Sequence, residues 1–370
     1  MIYLGTSPVG VASKITSPDE WVRPGSWPNL KTIDTTGFNG AYLTYDLSLI
    51  EEPTQQYISI QMVGNQGACT VERGHLEGTT FVSDYASTTS SYQFKEQLDQ
   101  QNGTVQLWRI HNQTGVGGLT FVDYNSISNS RYNQPCGEVL LNNVSSLGGI
   151  SPPTVLESVI VKSVVAGAAA NGFLEKGYGI KNIEFPTTGI QVGTINAMFN
   201  MCVSLGEIDG NAITSTNTTQ SQAFRFAVNL KRLVFPHIKL TGSLGAFVEN
   251  GYCLEYLDLN NADFSETTTL GSGAFSNMFK LKTLHMEDAD FEALTTFNKV
   301  TLPSLVDLYP PKVYISHQWD CPMLSTESLL RIIDTLPTVT SQTLTIGAIN
   351  IAKLTAAQIA VATGKGWTVA

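Results

Sequence analysis

Leu254-Glu-Tyr-Leu257-Asp-Leu259 sets the rhythm of this chain of 370 residues. The phrase is an aliphatic residue, two variable residues, a second aliphatic, one variable residue and usually a third apolar one. It occurs upstream as Leu156-Glu-Ser-Val159-Ile-Val161, Ile180-Lys-Asn-Ile183-Glu-Phe185, Leu205-Gly-Glu-Ile208 and Leu230-Lys-Arg-Leu233-Val-Phe235. Downstream it returns as Leu281-Lys-Thr-Leu284-His-Met286 and Leu305-Val-Asp-Leu308. Its starts step by 24, 25, 25, 24, 27 and 24 residues. Phe173, Phe199, Phe224, Phe247 and Phe275 keep time, each six or seven residues before a phrase. Two markers in phase describe a solenoid of stacked units. Each unit, one short strand plus a return segment, is too small to bury its own apolar face and relies on its neighbours. Side chains alternate along a strand, so Leu257 and Leu259 point inward while Tyr256 and Asp258 point outward. The phenylalanines fill the width between strand and back wall.

The L-x-x-L-x-L core and this spacing, with Ala274-Phe275 six residues ahead of Leu281-Lys-Thr-Leu284, resemble the BspA-like class of leucine-rich repeats. Members of that class occur in surface proteins and in bacteriophage structural proteins. The resemblance covers roughly residues 150 to 320. Two departures stand out: the step of 27 before Leu281 is long, and Gly210 occupies an apolar position of the third unit. The end of the chain, from Leu344 to Thr355 and from Ala362 to Ala370, resembles the C-terminus of phage tail and fibre-type proteins with the same repeats. Its opening, Met1-Ile-Tyr-Leu-Gly-Thr-Ser-Pro, is similar to the starts of many phage structural proteins, where such a segment docks on a neighbouring subunit.

Composition narrows the partners. Charged residues make up 14% of the chain, well under the average for globular proteins, and Ser, Thr, Asn and Gly take their place. A net charge of −10 with 21 Lys plus Arg and no basic run argues against nucleic acid, because phosphate neutralisation needs clustered cations. Met1 is followed by Ile-Tyr-Leu-Gly, without the basic region and apolar core of a signal peptide. The most apolar run, Val159 to Ala170, contains Lys162 and is too short to span a bilayer, so no membrane insertion is expected. Five scattered cysteines imply no disulfide framework. The chain therefore reads as folded in a reducing cytosol.

Between about 40 and 125 the period changes to two. Leu43, Tyr45, Leu47 and Leu49 alternate with polar residues, and Tyr57 to Val63, Thr104 to Ile110 and Gly118 to Val122 do the same. Short alternating strands with regular turns predict an antiparallel sandwich or jelly roll. Residues 84 to 101 are polar and read as a loop or a short helix. Trp108 sits mid-strand and reads as core; Trp21 and Trp27 read either as a staple for the first segment or as a sugar-stacking pair. The expected organisation is mainly β with some α: a docking segment (1–20), the β-sandwich (21–135), the leucine-rich-repeat solenoid (136–320) and an α/β C-terminal cap (321–370). Cys136 to Leu141 reads as an atypical first strand of the solenoid. In the cap, Ser325 or Thr326 opens a helix with an apolar face at Leu329, Ile332, Ile333 and Leu336. A strand follows at Thr343 to Ile346, then a helix capped by Thr355 and a final strand at Trp367.

Chemistry is sparse. The five histidines are dispersed, and His317 with Cys321 would supply half a metal site at most. No phosphate-binding or nucleophile-elbow motif is present, and no acid–base pair is nominated for glycoside hydrolysis. Neither cofactor nor enzymatic activity is expected. Asp263 and Asp290 share one offset in adjacent units, either as a hard-cation site or as turn carboxylates accepting backbone N–H bonds.

The resemblances imply a non-enzymatic virion structural protein of a tailed bacteriophage, made in the host cytoplasm. It would be a tail, fibre or capsid-attached component. Ile2, Tyr3 and Leu4 would dock on other virion proteins, and the chain would act as an oligomer within an assembly. Lys231, Glu255, Tyr256 and Lys282, at variable outward positions, would form a contact surface for proteins or for a host surface glycan. The alternative is a carbohydrate-binding adhesin of a bacterial surface.

Overall fold

The computed structural model describes residues 21–50, 57–63, 69–89, 93–111, 118–121, 134–147, 155–186, 188–216 and 222–370. The docking segment (1–20), with Ile2, Tyr3 and Leu4, lies outside them. The protein is mainly β and is dominated by a β-solenoid of about nine turns. One wall starts with strands Cys136–Asn142, Ser158–Val161 and Asn182–Glu184, paired in parallel. It continues with Glu207–Asp209, Arg232–Val234, Tyr256–Asp258, Thr283–His285 and Asp307–Tyr309. The parallel register puts Ile208, Leu233, Leu257, Leu284 and Leu308 in one row, and all five are buried.

A unit of one strand and a return segment is too simple, however. Each turn carries a second parallel strand: Val144–Ser146, Val164–Ala169, Ile190–Val192 and Ile213–Ser215, then Lys239–Leu244, Asp263–Leu270 and Thr296–Phe297. Its apolar anchors Ile190, Leu240, Phe264 and Phe291 each lie ten residues past a phrase start and are buried between the walls.

The return segments close each turn. Phe173, Phe199, Phe224 and Phe247 form a spine with ring centroids 6.2, 5.5 and 5.4 Å apart. Four residues before successive phrase starts stand Lys176, Met201, Phe226, Asn250 and Asn277, all left-handed with φ between 58° and 65°. The N–H groups of Lys176, Met201, Phe226 and Asn250 donate to carbonyls of the next turn, at 2.8, 2.8, 2.9 and 3.0 Å. The cost of the left-handed backbone, about 1–2 kcal/mol for a residue with a Cβ, is offset by a bond that ties turn to turn. Gly210 has a packing reason: a Cβ there would lie 2.1 Å from the Phe235 ring of the next turn, which fills the vacated apolar position.

The N-terminal module is continuous with this stack. Gly40–Asp46 pairs antiparallel with Val105–His111 on one side and Cys136–Asn142 on the other. The seven-stranded sheet thus passes through the expected 135/136 boundary and ends, on the outer side, at Cys69–Glu77 and Thr80–Thr89. A smaller antiparallel sheet joins Tyr57–Val63 to Gln93–Gln97 and Gly118–Phe121. Its Ile58, Ile60 and Phe94 share a core with Leu43, Tyr45, Val71 and Trp108 of the large sheet. Within the stretch read as a loop or a short helix, residues 84–89 and 93–97 are strand, followed by a 3₁₀ turn at Gln100–Asn102, and residues 90–92 lie outside the described residues. Their polarity reflects solvent-facing positions in antiparallel strands. Gly40–Asp46 is buried on both faces, because Tyr42 packs with Leu30, Ile33, Phe81 and Leu107 in a second core. Leu47 and Leu49 leave the alternation in a 3₁₀ turn that Asp46 caps through the Ser48 N–H.

At the far end, helix α1 (Thr326–Thr335) is capped by Ser325, whose side chain accepts from the Ser328 N–H. A short helix α2 (Ala348–Ile351), absent from the sequence reading, precedes α3 (Ala356–Gly364), which opens with a Thr355/Gln358 capping box. Strands Val300–Thr301, His317–Asp320, Gln342–Thr345 and Trp367–Val369 form a parallel sheet beneath the helices.

Candidate functional site

The outward face of the first wall carries the proposed contact residues. One position past five of the seven phrase starts lie Glu157, Lys181, Lys231, Glu255 and Lys282, with Gly206 and Val306 at the other two. Lys181 pairs with Glu157 at 2.5 Å and Lys282 with Glu255 at 2.7 Å. The Lys282 hydrogen bond and charge hold the Glu255 carboxyl below its ordinary range. Trp21 donates its Nε1 hydrogen to Glu157 at 3.1 Å, while buried Trp27 donates to Asp46 at 2.8 Å. Trp21 and Trp27 thereby tie residues 21–27 to both the solenoid and the antiparallel sheet, while the segment 1–20 lies outside the described residues.

Tyr256 belongs to a ladder that the sequence did not disclose. The Arg232 guanidinium lies 4.9 Å from its ring centroid, and the His285 ring 5.5 Å away. His285 in turn stacks on Tyr309 at 3.9 Å with planes 13° apart, and Arg331 of α1 covers Tyr309 at 4.0 Å. Each member occupies an outward position of a successive phrase or the cap beyond it. Arg232 and Tyr256 stand two residues past their phrase starts and His285 and Tyr309 four past theirs, so the ladder shifts offset between turns.

A second row runs along the corner where return segment meets strand. Tyr178, Val203, Val228, Tyr252, Phe279 and Pro303 each stand two residues before a phrase start. Tyr252 and Phe279 are 42% and 54% exposed, and their rings are 6.1 Å apart with planes inclined by 16°. Sequence reading passed over this row because a lone exposed aromatic is common, whereas the alignment of six is visible only once the turns are stacked.

Asp263 and Asp290 open strands at equivalent places, and the rings of Phe264 and Phe291 beside them are 4.7 Å apart. Asp263 accepts from the Ser265 N–H at 2.9 Å and its hydroxyl at 2.6 Å, with Lys239 Nζ 3.8 Å away. Burial opposes its ionisation, but the Ser265 bonds prevail and lower its pKa. Asp290 Oδ2 accepts from Tyr314, and Oδ1 is buried without a partner among the described residues. The strand register sets Lys239 opposite Asp263 and Lys312 opposite Asp290. Among the described residues, no three His, Cys, Asp or Glu side chains converge as a metal set.

His317 and Cys321 are both buried. The His317 Nδ1–H donates to the Ile315 carbonyl at 2.8 Å, and burial pushes its pKa down to about 4. Burial pushes the Cys321 thiol up to about 12, so it is a thiol and not a thiolate. All five cysteines are free. Among the described residues, no helix is long and apolar enough to cross a membrane.

No known family, curated protein or solved structure matches the chain.

Proposed function

We propose that this chain is a non-enzymatic structural protein of an assembly, a tail, fibre or capsid-attached component of a tailed bacteriophage virion. On this reading its repeats are leucine-rich repeats of the BspA-like kind and its N-terminal module is a β-sandwich. The observation that carries the proposal is the pairing of two rows along one solenoid. Tyr178 to Pro303 form an apolar row and Lys231, Glu255 and Lys282 a charged one, within four residues of each phrase start. A quasi-one-dimensional stack repeats its surface at every turn, which suits a long contact with a partner protein. Ile2, Tyr3 and Leu4 would anchor the chain to its neighbours.

Proteomics of purified virions tests this reading: peptides of the chain in stoichiometric amount are expected, and their absence from particles overturns it. The alternative, a carbohydrate-binding adhesin, needs aromatic faces open to sugar. The faces of His285 and Tyr309 are stacked on each other, and Arg232 and Arg331 lie over the Tyr256 and Tyr309 rings, which favours the protein-contact reading. Saturable, selective binding on a glycan array would reverse that preference.

A further inference from the structure

The solenoid obeys a hydrogen-bond rule that fails at one junction. The N–H one past a phrase start donates to the equivalent carbonyl of the preceding turn. Lys181 bonds Glu157, Lys231 bonds Gly206, Glu255 bonds Lys231, Lys282 bonds Glu255 and Val306 bonds Lys282, at 2.6 to 3.0 Å. A second bond runs forward from the N–H five past a phrase start. Gly210 reaches Val234, Phe235 reaches Asp258, Leu259 reaches His285 and Met286 reaches Tyr309, at 2.7 to 2.9 Å. Between the units that start at Ile180 and Leu205, neither bond is present among the described residues. Asn182–Glu184 ends one sheet and Glu207–Asp209 begins the next.

The separation is confined to the first wall. The second wall continues across the same junction, with Ile190–Val192 in register with Ile213–Ser215 and Ile190 bonded to the Ala212 carbonyl at 2.6 Å. The return segments also stay bonded, Leu174 to Met198 and Lys176 to Asn200. A cleft of about 490 Å³ fills the gap, lined by Glu184, Phe185, Pro186, Glu207, Ile208 and Asp209. The sequence accounts for the opening. Glu184 and Asp209 share one offset, so closing the rung would set two carboxylates opposite each other, which is unfavourable. Pro186 has no N–H to give, and Gly206 and Gly210 bring no side chain to pack across.

We propose that this cleft is a docking slot for an extended peptide segment carrying Lys or Arg. Both walls of the slot are strand edges with no partner strand on the slot side among the described residues, the requirement for strand addition. The lining supplies the sign. Glu207 has no ion-pair partner among the described residues, although Arg232 stands opposite it in the strand register, and Glu184 and Asp209 stand beside it, with Lys31 on Glu184 at 2.5 Å. The proposal does not depend on the particle assignment above.

The test uses the full chain and fluorescence anisotropy with three labelled heptapeptides. One alternates Lys with Val between Thr ends, one replaces each Lys by Glu, and one is the Lys peptide with alternate amides N-methylated. The Lys peptide is expected to bind about tenfold tighter than either of the others. The variant Glu184→Gln/Glu207→Gln/Asp209→Asn is expected to lose the Lys-over-Glu preference. Equal binding of the Lys and Glu peptides, indifference to N-methylation, or no saturable binding overturns the proposal. Hydrogen exchange on the unmodified protein provides a readout independent of the variant. The amides of Phe185 and Gly206 are expected to exchange faster than those of Phe235 and Lys231, and to gain protection when the Lys peptide is added. Protection appearing elsewhere overturns the assignment of the site.

Discussion

The two ends of the solenoid solve the same problem with different groups. A parallel wall leaves a row of unpaired N–H and C=O groups at each end, and such rows invite pairing with other chains. At the N-terminal end the row on Cys136–Asn142 is taken by backbone, six residue pairs of the antiparallel strand Gly40–Asp46. At the C-terminal end the strand Asp307–Tyr309 meets helix α1, and a side chain completes it. Leu308 N–H donates to Ser328 Oγ, and Ser328 Oγ–H donates to the Val306 carbonyl, both at 3.0 Å. Ser325 N–H adds a bond to the same carbonyl at 2.9 Å. Backbone closure is redundant, but it passes the open edge outward to Thr80–Thr89, which is paired on one side only among the described residues. Side-chain closure ends the wall outright and concentrates the task in one hydroxyl.

The largest expected effect lies between the ends and calibrates both. Leu257→Ala removes the centre of the buried row and should cost about 2–5 kcal/mol in urea or thermal unfolding. An unchanged midpoint would mean that the row is out of register. The next separates the ends by pH. His317 sits in the C-terminal cap against Phe297 and Trp367, with its pKa depressed by burial. Its neutral form is the one the fold accepts, so the unfolded chain takes up a proton first. Its contribution is complete above pH 6.5 and is lost as pH falls towards about 4, a change of about 3 kcal/mol. Hydrogen exchange at pH 4.5 should loosen the cap before the antiparallel module, and His317→Phe should flatten the slope. Equal loosening of both ends would remove the distinction.

Ser328→Ala strands the Leu308 N–H and the Val306 carbonyl and should cost about 1–3 kcal/mol, with exchange at α1 rising ahead of the rest. A loss below the error of the measurement would show that Ser325 and packing close the edge unaided. The smallest effect has the opposite sign. At the N-terminal end Thr44 is buried with its hydroxyl unpartnered among the described residues. Thr44→Val should therefore raise stability by about 1 kcal/mol, since it removes a buried hydroxyl and leaves the backbone ladder of the strand intact. Destabilisation would reveal a polar side-chain role at that end as well.

The first wall was legible because Leu233, Leu257 and Leu284 repeat a phrase that only stacked strands explain. The second wall was hidden: Leu240, Phe264 and Phe291 hold a constant offset, but Lys239–Leu244 and Asp263–Leu270 are polar and irregular in register, so no period of two develops. At 135/136 composition changes while one sheet holds strands from both sides, and a pattern of side chains does not reveal pairing between distant strands. The Tyr256, His285 and Tyr309 ladder and the Tyr178 to Pro303 row are contacts between turns, and a linear reading gives no distance between residues some 25 apart. For Asp263 both readings were on the table, and the Ser265 bonds supply the turn chemistry that one of them required.

The missing rung between Asn182–Glu184 and Glu207–Asp209 also matters for how the molecule bears load. Elsewhere a bending force along the stack is shared by hydrogen bonds on both walls; here only the Ile190–Val192 side and the return segments resist it. The junction is a notch cut into one face of a rod. Flexure will gather there, the cleft widening or narrowing about the second wall as about a leaf spring. The turns on either side will then move as two stiff arms of unequal length.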